Sequence, residues 1–98
     1  MLTPKQRAHL RALAHSLKPI HQIGWEGVTS ATVVAISEAF NHRELLKVKV
    51  QQTSPVRADE AAIELAARVP GVKHVQTIGR TIVLYRRHPA TPEIVLPR

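Results

Sequence analysis

Cysteine is absent from the 98 residues of this chain, and aromatic residues are nearly so, with one Trp, one Tyr and one Phe. Lacking a thiol, the chain has no disulfide, thiolate zinc site, iron–sulfur cluster or cysteine nucleophile, a pattern that fits a reducing compartment. Acidic residues are scarce too, seven Asp and Glu against fourteen Lys and Arg, which gives a formal charge of +7. No apolar run approaches the roughly 18 residues of a membrane span. The opening MLTPKQRAHL has neither an apolar segment nor a small-residue cleavage site, so a soluble, unexported, cytoplasmic protein with no membrane anchor is expected. The length suits one domain with a modest core. Its positive excess attracts polyanions, nucleic acid ahead of an anionic membrane surface.

Signatures of catalysis are missing as well. The six histidines, His9, His15, His21, His42, His74 and His88, form no HExxH and no i,i+4 pair, and none has a carboxylate at metal-ligand spacing. There is no GxSxG, Walker loop or GxGxxG. No enzyme activity, cofactor or metal is therefore expected.

What is present reads as alternating elements. Thr3-Pro4 caps a helix over KQRAHLRALAHSLK, with Leu10, Leu13, Ala14 and Leu17 on one side and a basic stripe of Arg7, Arg11, His15 and Lys18 on another. Pro19 stops it, and Ile20 to Ile23 is a short strand ending at Gly24. Thr29 or Ser30 can cap a second helix to about Asn41 with Val33, Ile36 and Phe40 inward, although VTSATVV is rich in β-branched residues that disfavour a helix. Leu46, Val48 and Val50 alternate with Leu45, Lys47 and Lys49 in a second strand, which turns the two lysines away from the larger apolar set.

ADEAAIELAARV is a third helix, with Ala62, Leu65, Ala66 and Val69 on one face, ended by Pro70-Gly71. It holds Asp59, Glu60 and Glu64, three of the seven acids, so its surface is the least suited to a polyanion. Val72 to Ile78 and Thr81 to Arg87 form strands joined at Gly79-Arg80, where glycine in the first turn position suits a type II′ hairpin. Residues 88–98 read as an extended tail in which Ile94, Val95 and Leu96 can dock. The order αβαβαββ defines an α/β single domain, a four-stranded mixed sheet packed with three helices.

Two constellations stand out. Gly24-Trp25-Glu26-Gly27 is a GxxG placed between a strand and a helix start, where glycines admit a phosphate to the backbone and a helix N-terminus favours an anion. A plain turn explains the same four residues, and Glu26 repels a phosphate. Trp25 either stacks on a base or anchors the loop. The second constellation is basic: Arg7, Arg11 and Lys18, then Lys47 and Lys49, then Arg80, Arg86 and Arg87. Singly, each is a surface charge; together, with acids gathered on the third helix, they imply a positive face.

Ala14-His15, Leu17-Lys18-Pro19, Gly24, Gly27 and Thr29, then Glu44 to Val50 (ELLKVKV), then Gln76, Ile78-Gly79 and Leu84-Tyr85-Arg86 resemble the CRM domain (chloroplast RNA splicing and ribosome maturation). The closest resemblance is to its stand-alone bacterial YhbY-like form, and it runs from about residue 3 to residue 87. It implies a fold similar to the C-terminal domain of bacterial translation initiation factor three. It also implies RNA binding without catalysis, on ribosomal RNA in precursors of the large subunit. Separately from the resemblance, a monomer is expected, although the sheet edges and the tail strand offer pairing between chains. The family's loop motif maps to Gly24 and Gly27, and its basic positions map to Lys18, Lys47, Lys49 and Arg86. With Trp25, Arg7 and Arg11 added from the residue reading, these are the expected RNA-contacting positions. Trp25-Glu26 departs from the basic or small polar residues often found inside that loop. An acidic protein partner is the alternative that the charge alone leaves open.

Overall fold

The Thr3 hydroxyl accepts from the Gln6 N–H at 3.1 Å while the Gln6 side chain accepts from the Thr3 N–H at 3.0 Å, a reciprocal cap that starts the first helix just ahead of Pro4. In the computed structural model, which describes residues 1–98, this helix, α1, spans Pro4–Ala14. The second helix, α2 (Ser30–Ala39), has the same device in Thr29 and Thr32. Capping there offsets the β-branched content of the run that follows. The third, α3 (Ala58–Arg68), has no side-chain cap, but Asp59 and Glu60 in its first turn and Arg68 in its last turn complement the helix dipole.

Four strands, β1 (Pro19–Ile23), β2 (Leu45–Val50), β3 (Lys73–Ile78) and β4 (Thr81–Tyr85), form one mixed sheet in the order β1-β2-β4-β3. β1 and β2 are parallel, and β4 runs antiparallel to both of its neighbours. Gly79 has φ +57° and Arg80 is not in the positive-φ region, as a type II′ hairpin requires. The crossovers β1–α2–β2 and β2–α3–β3 step the same way along the sheet. Right-handed connections therefore carry both helices to one face, and α1 covers part of the other.

The core accordingly has two compartments. Leu46, Val48, Val50, Ile82 and Leu84 pack against Ile36 and Phe40 and against Ala61, Ala62 and Leu65. On the opposite face Leu2, Leu10 and Ala14 meet Leu45, Val75, Val83 and Tyr85. Two sequence expectations change here. Leu13 and Leu17, placed on the inward side of the first helix, are 42% and 36% exposed, while Leu2, ahead of the helix, is buried. The cause is that α1 lies on a sheet face it only partly covers, so only the narrow Leu10/Ala14 edge is enclosed. The helix also ends at Ala14, so Lys18 does not extend its basic stripe.

The tail is tied down by one carboxylate. Glu44 is 5% exposed, and its oxygens accept from the N–H groups of His88, Glu93 and Ile94 at 2.7–2.8 Å. Ile94 and Leu96 then pack on the margin of the α1 compartment, while Val95 is exposed. Burial pushes the Glu44 carboxyl up, but the three N–H donors and the nearby His88 more than reverse this, leaving it below its usual value.

Candidate nucleic-acid interface

No carboxylate occurs in α1 or in any of the four strands. Glu26 follows β1, Glu38 lies on α2, Glu44 precedes β2, Asp59, Glu60 and Glu64 lie on α3, and Glu93 is in the tail. The helix and strands of the α1 layer therefore carry bases without acids, with Glu93 reaching its margin on the tail, and the opposite layer carries acids on α2 and α3. No helix is long and apolar enough to cross a membrane, and no three His, Cys, Asp or Glu side chains gather into a possible metal site.

Strand alternation decides which cations reach the α1 side of the sheet. Leu45, Lys47 and Lys49 share that side and pair with Tyr85, Val83 and Thr81 of β4. Gln76 and Ile78 of β3 pair with Val83 and Thr81, and Gln22 of β1 pairs with Lys49, so they share it too. α1 encloses Leu45, Val83 and Tyr85 and leaves the rest open. Lys47 Nζ donates to the Leu17 carbonyl at 3.0 Å, which holds its ammonium over this face and pins the α1–β1 connection bearing Lys18. Lys18, Lys49 and Arg11 are exposed. Arg11, His15, Lys47, Gln76, Ile78 and Val83, with Ala8, Ala12 and Ala14, line a cleft of about 600 Å³.

The GxxG turn lies at one end of this face. The Gly27 N–H donates to the Gly24 carbonyl at 3.0 Å, and Gly27 has φ +71° with Pro55 3.4 Å from where a Cβ would stand. Gly27 is thus required by conformation. Gly24 is not, since its φ is ordinary and nothing lies within 4 Å of a Cβ placed there. Trp25 is 74% exposed and closes nothing, which disposes of the anchor reading. Because β1, β2 and β3 run the same way, this turn, residues 51–57 and the Gly79-Arg80 hairpin gather at their carboxyl ends. Gln51, Gln52, Ser54, Arg57, Gly79 and Arg80 line a second cleft there, of about 550 Å³.

Two expected residues are committed to the fold instead. Arg7 Nη1 donates to the carbonyls of His74 at 2.6 Å and Val75 at 3.0 Å, so it is not a free member of the α1 stripe. Arg86 lies at the far end of the sheet, donating to the carbonyls of Pro70 and Ser37 at 3.3 Å each, with its guanidinium 5.1 Å above the Phe40 ring. Both satisfy backbone carbonyls outside the ladder, a need that sequence does not display. Conversely, Gln76 and Ile78 enter the face unexpectedly, because a bulge between His74 and Gln76 breaks the alternation of β3. Burial lowers the proton affinity of His74, and the Arg7 charge lowers it further, so its pKa lies below the usual histidine value.

These features are those of a small α/β domain with one basic face whose helix and strands hold no carboxylate. The CRS1 / YhbY (CRM) domain model matches residues 2–86, and the chain belongs to this family. It is similar to "Probable RNA-binding protein YqeI" of Bacillus subtilis, 42% identical over 97 residues that cover 99% of this chain and 100% of that one. An RNA-binding protein of Haemophilus influenzae is 38% identical over 97 residues, covering 99% of this chain and 96% of that protein. The solution structure of the hypothetical protein SAV1595 from Staphylococcus aureus matches with a TM-score of 0.82 at 40% identity, over 99% of this chain and 100% of that one.

Proposed function

We propose that this protein binds RNA without catalysis, and that it docks as a cytoplasmic monomer on structured ribosomal RNA during assembly of the large ribosomal subunit. The observation that carries the RNA reading is the charge partition, with Arg11, Lys18, Lys47 and Lys49 on or beside a face whose helix and strands hold no carboxylate. Phosphate contacts from these cations supply affinity, and the GxxG turn fixes register. The relatives' names and the family membership support the same reading. The ribosomal target rests on the family resemblance. The monomeric state is supported at the sheet edges: Arg7 occupies two carbonyls on β3, and β1 opens with Pro19, both of which hinder pairing with another chain. Crosslinking in cells followed by sequencing of the attached RNA tests the assignment. Enrichment of large-subunit ribosomal RNA from precursor particles is expected, and reads spread evenly over messenger and transfer RNA would overturn it.

A further inference from the structure

The cleft between α1 and the β3–β4 half of the sheet has a composition unlike a simple phosphate track. Its walls are aliphatic, from the exposed methyl groups of Ala8 and Ala12 on one side to Ile78 and Val83 on the other. The cations Arg11 and Lys47 stand among these walls, together with His15. One polar, uncharged group joins them, the amide of Gln76, half-buried and used in no hydrogen bond of the fold. The bulge that precedes it turns both Val75 and Gln76 to the α1 side, so Val75 enters the core while Gln76 faces the cleft.

We infer that this cleft receives one unpaired nucleobase of the bound RNA, held between the alanine edge of α1 and Ile78 and read on its hydrogen-bonding edge by Gln76. This rests on the RNA reading above and narrows it from structured RNA in general to RNA with a bulged or looped-out nucleotide. A volume of about 600 Å³ is within the usual range for small-ligand sites. An amide presents both a donor and an acceptor, the pairing that a base edge needs and a phosphate does not. Sequence-selective RNA recognition uses unstacked bases, which elsewhere lie on aromatic side chains or on Arg planes. The single Tyr of this sheet is buried, so the Arg11 guanidinium and the His15 ring offer such planes in the cleft. Arg11 and Lys47 then sit where the phosphates flanking an inserted base would pass.

The test pairs RNA variants with protein variants of the full chain. A hairpin with one bulged nucleotide is compared with the same hairpin abasic at that nucleotide and with a fully paired one. For the wild type, abasic substitution is expected to weaken binding roughly tenfold, the scale of one base contact. Ala12→Leu fills the cleft from an exposed helix position, so its melting temperature should stay close to wild type. It should bind the bulged hairpin as weakly as wild type binds the abasic one, with binding to the paired hairpin unchanged. Gln76→Ala should erase preference among the four bulged bases while keeping most of the affinity. If salt-sensitive RNA binding persists but wild type binds the bulged and abasic hairpins alike, the base site is wrong and the basic face stands. If none of the three RNAs binds, the RNA reading itself fails. A cleft filled instead by a protein segment would show as Ala12→Leu leaving all three RNA affinities untouched, and this also overturns the proposal.

Discussion

Arg7 and Arg11 occupy successive turns of one helix and have different work. Arg7 bridges two carbonyls at the β3 bulge, whereas Arg11 is exposed beside the cleft. Arg7→Ala is expected to lower stability by about 1–3 kcal/mol, the range for leaving such carbonyls unpaired, whereas Arg11→Ala should leave the melting temperature near wild type and weaken RNA binding. Thermal melts set beside binding isotherms check the split, and equal effects on both observables would refute it. Glu44 is the other residue whose role is set by hydrogen bonds. Its folded-state pKa is lowered, so its stabilising contribution is complete above the ordinary glutamate range and is lost as pH falls through that lowered value. Wild type should therefore lose stability in acid more steeply than Glu44→Gln, which starts less stable at neutral pH because its amide N–H groups face backbone donors. Denaturant melts across that acid window measure the slope. Amide exchange at Glu93 and Ile94 reports whether the tail loosens first. Sequence showed neither role, because both depend on backbone groups that only the folded chain brings near.

At the scale of elements, the order and type of every helix and strand were legible from punctuation: Thr3-Pro4, Pro19, Gly24, Pro70-Gly71 and Gly79 each end or open an element where the structure has one. What periodicity missed was how much of each helix is covered. Leu10 and Leu13 both belong to the apolar pattern of α1, yet only Leu10 is enclosed. Leu10→Ala should lower stability by about 2–5 kcal/mol and Leu13→Ala by well under half of that, read from denaturant midpoints. Covering half a sheet face leaves the other half to the lysines of β2, so the misplaced leucine and the open basic face have one cause. The GxxG turn belongs to this scale too. Trp25 is exposed, so Trp25→Ala should spare the melting temperature, and if it stacks on a base, affinity should fall by about 1–3 kcal/mol. Glu26→Lys tests the turn as a phosphate seat. Affinity should rise by more than for a lysine placed on α3 at Glu64, and an equal rise would reduce the turn to a connection.

For the whole molecule, net charge and charge placement make separable claims. A formal +7 alone attracts RNA from any side. The fold adds direction, because right-handed crossovers send α2 and α3, with four of the seven acids, to one face and leave α1 and the strands without any. Four of the cations on the basic side, Arg11, Lys18, Lys47 and Lys49, correspond to a log–log salt slope of roughly −3 to −4 if each displaces a counterion. Replacing Arg11 and Lys49 with Gln should flatten that slope by about 1.5 to 2, since both side chains are exposed and the fold does not need them. Arg43 and Arg87 are also exposed, but they lie where β2 begins and β4 has ended, away from the GxxG turn. Substituting that pair removes the same net charge. If the slope flattens only for Arg11 and Lys49, the RNA is held by the face that the fold builds. If both pairs flatten it alike, the protein responds to its total charge, and the basic layer has no particular claim on the ligand.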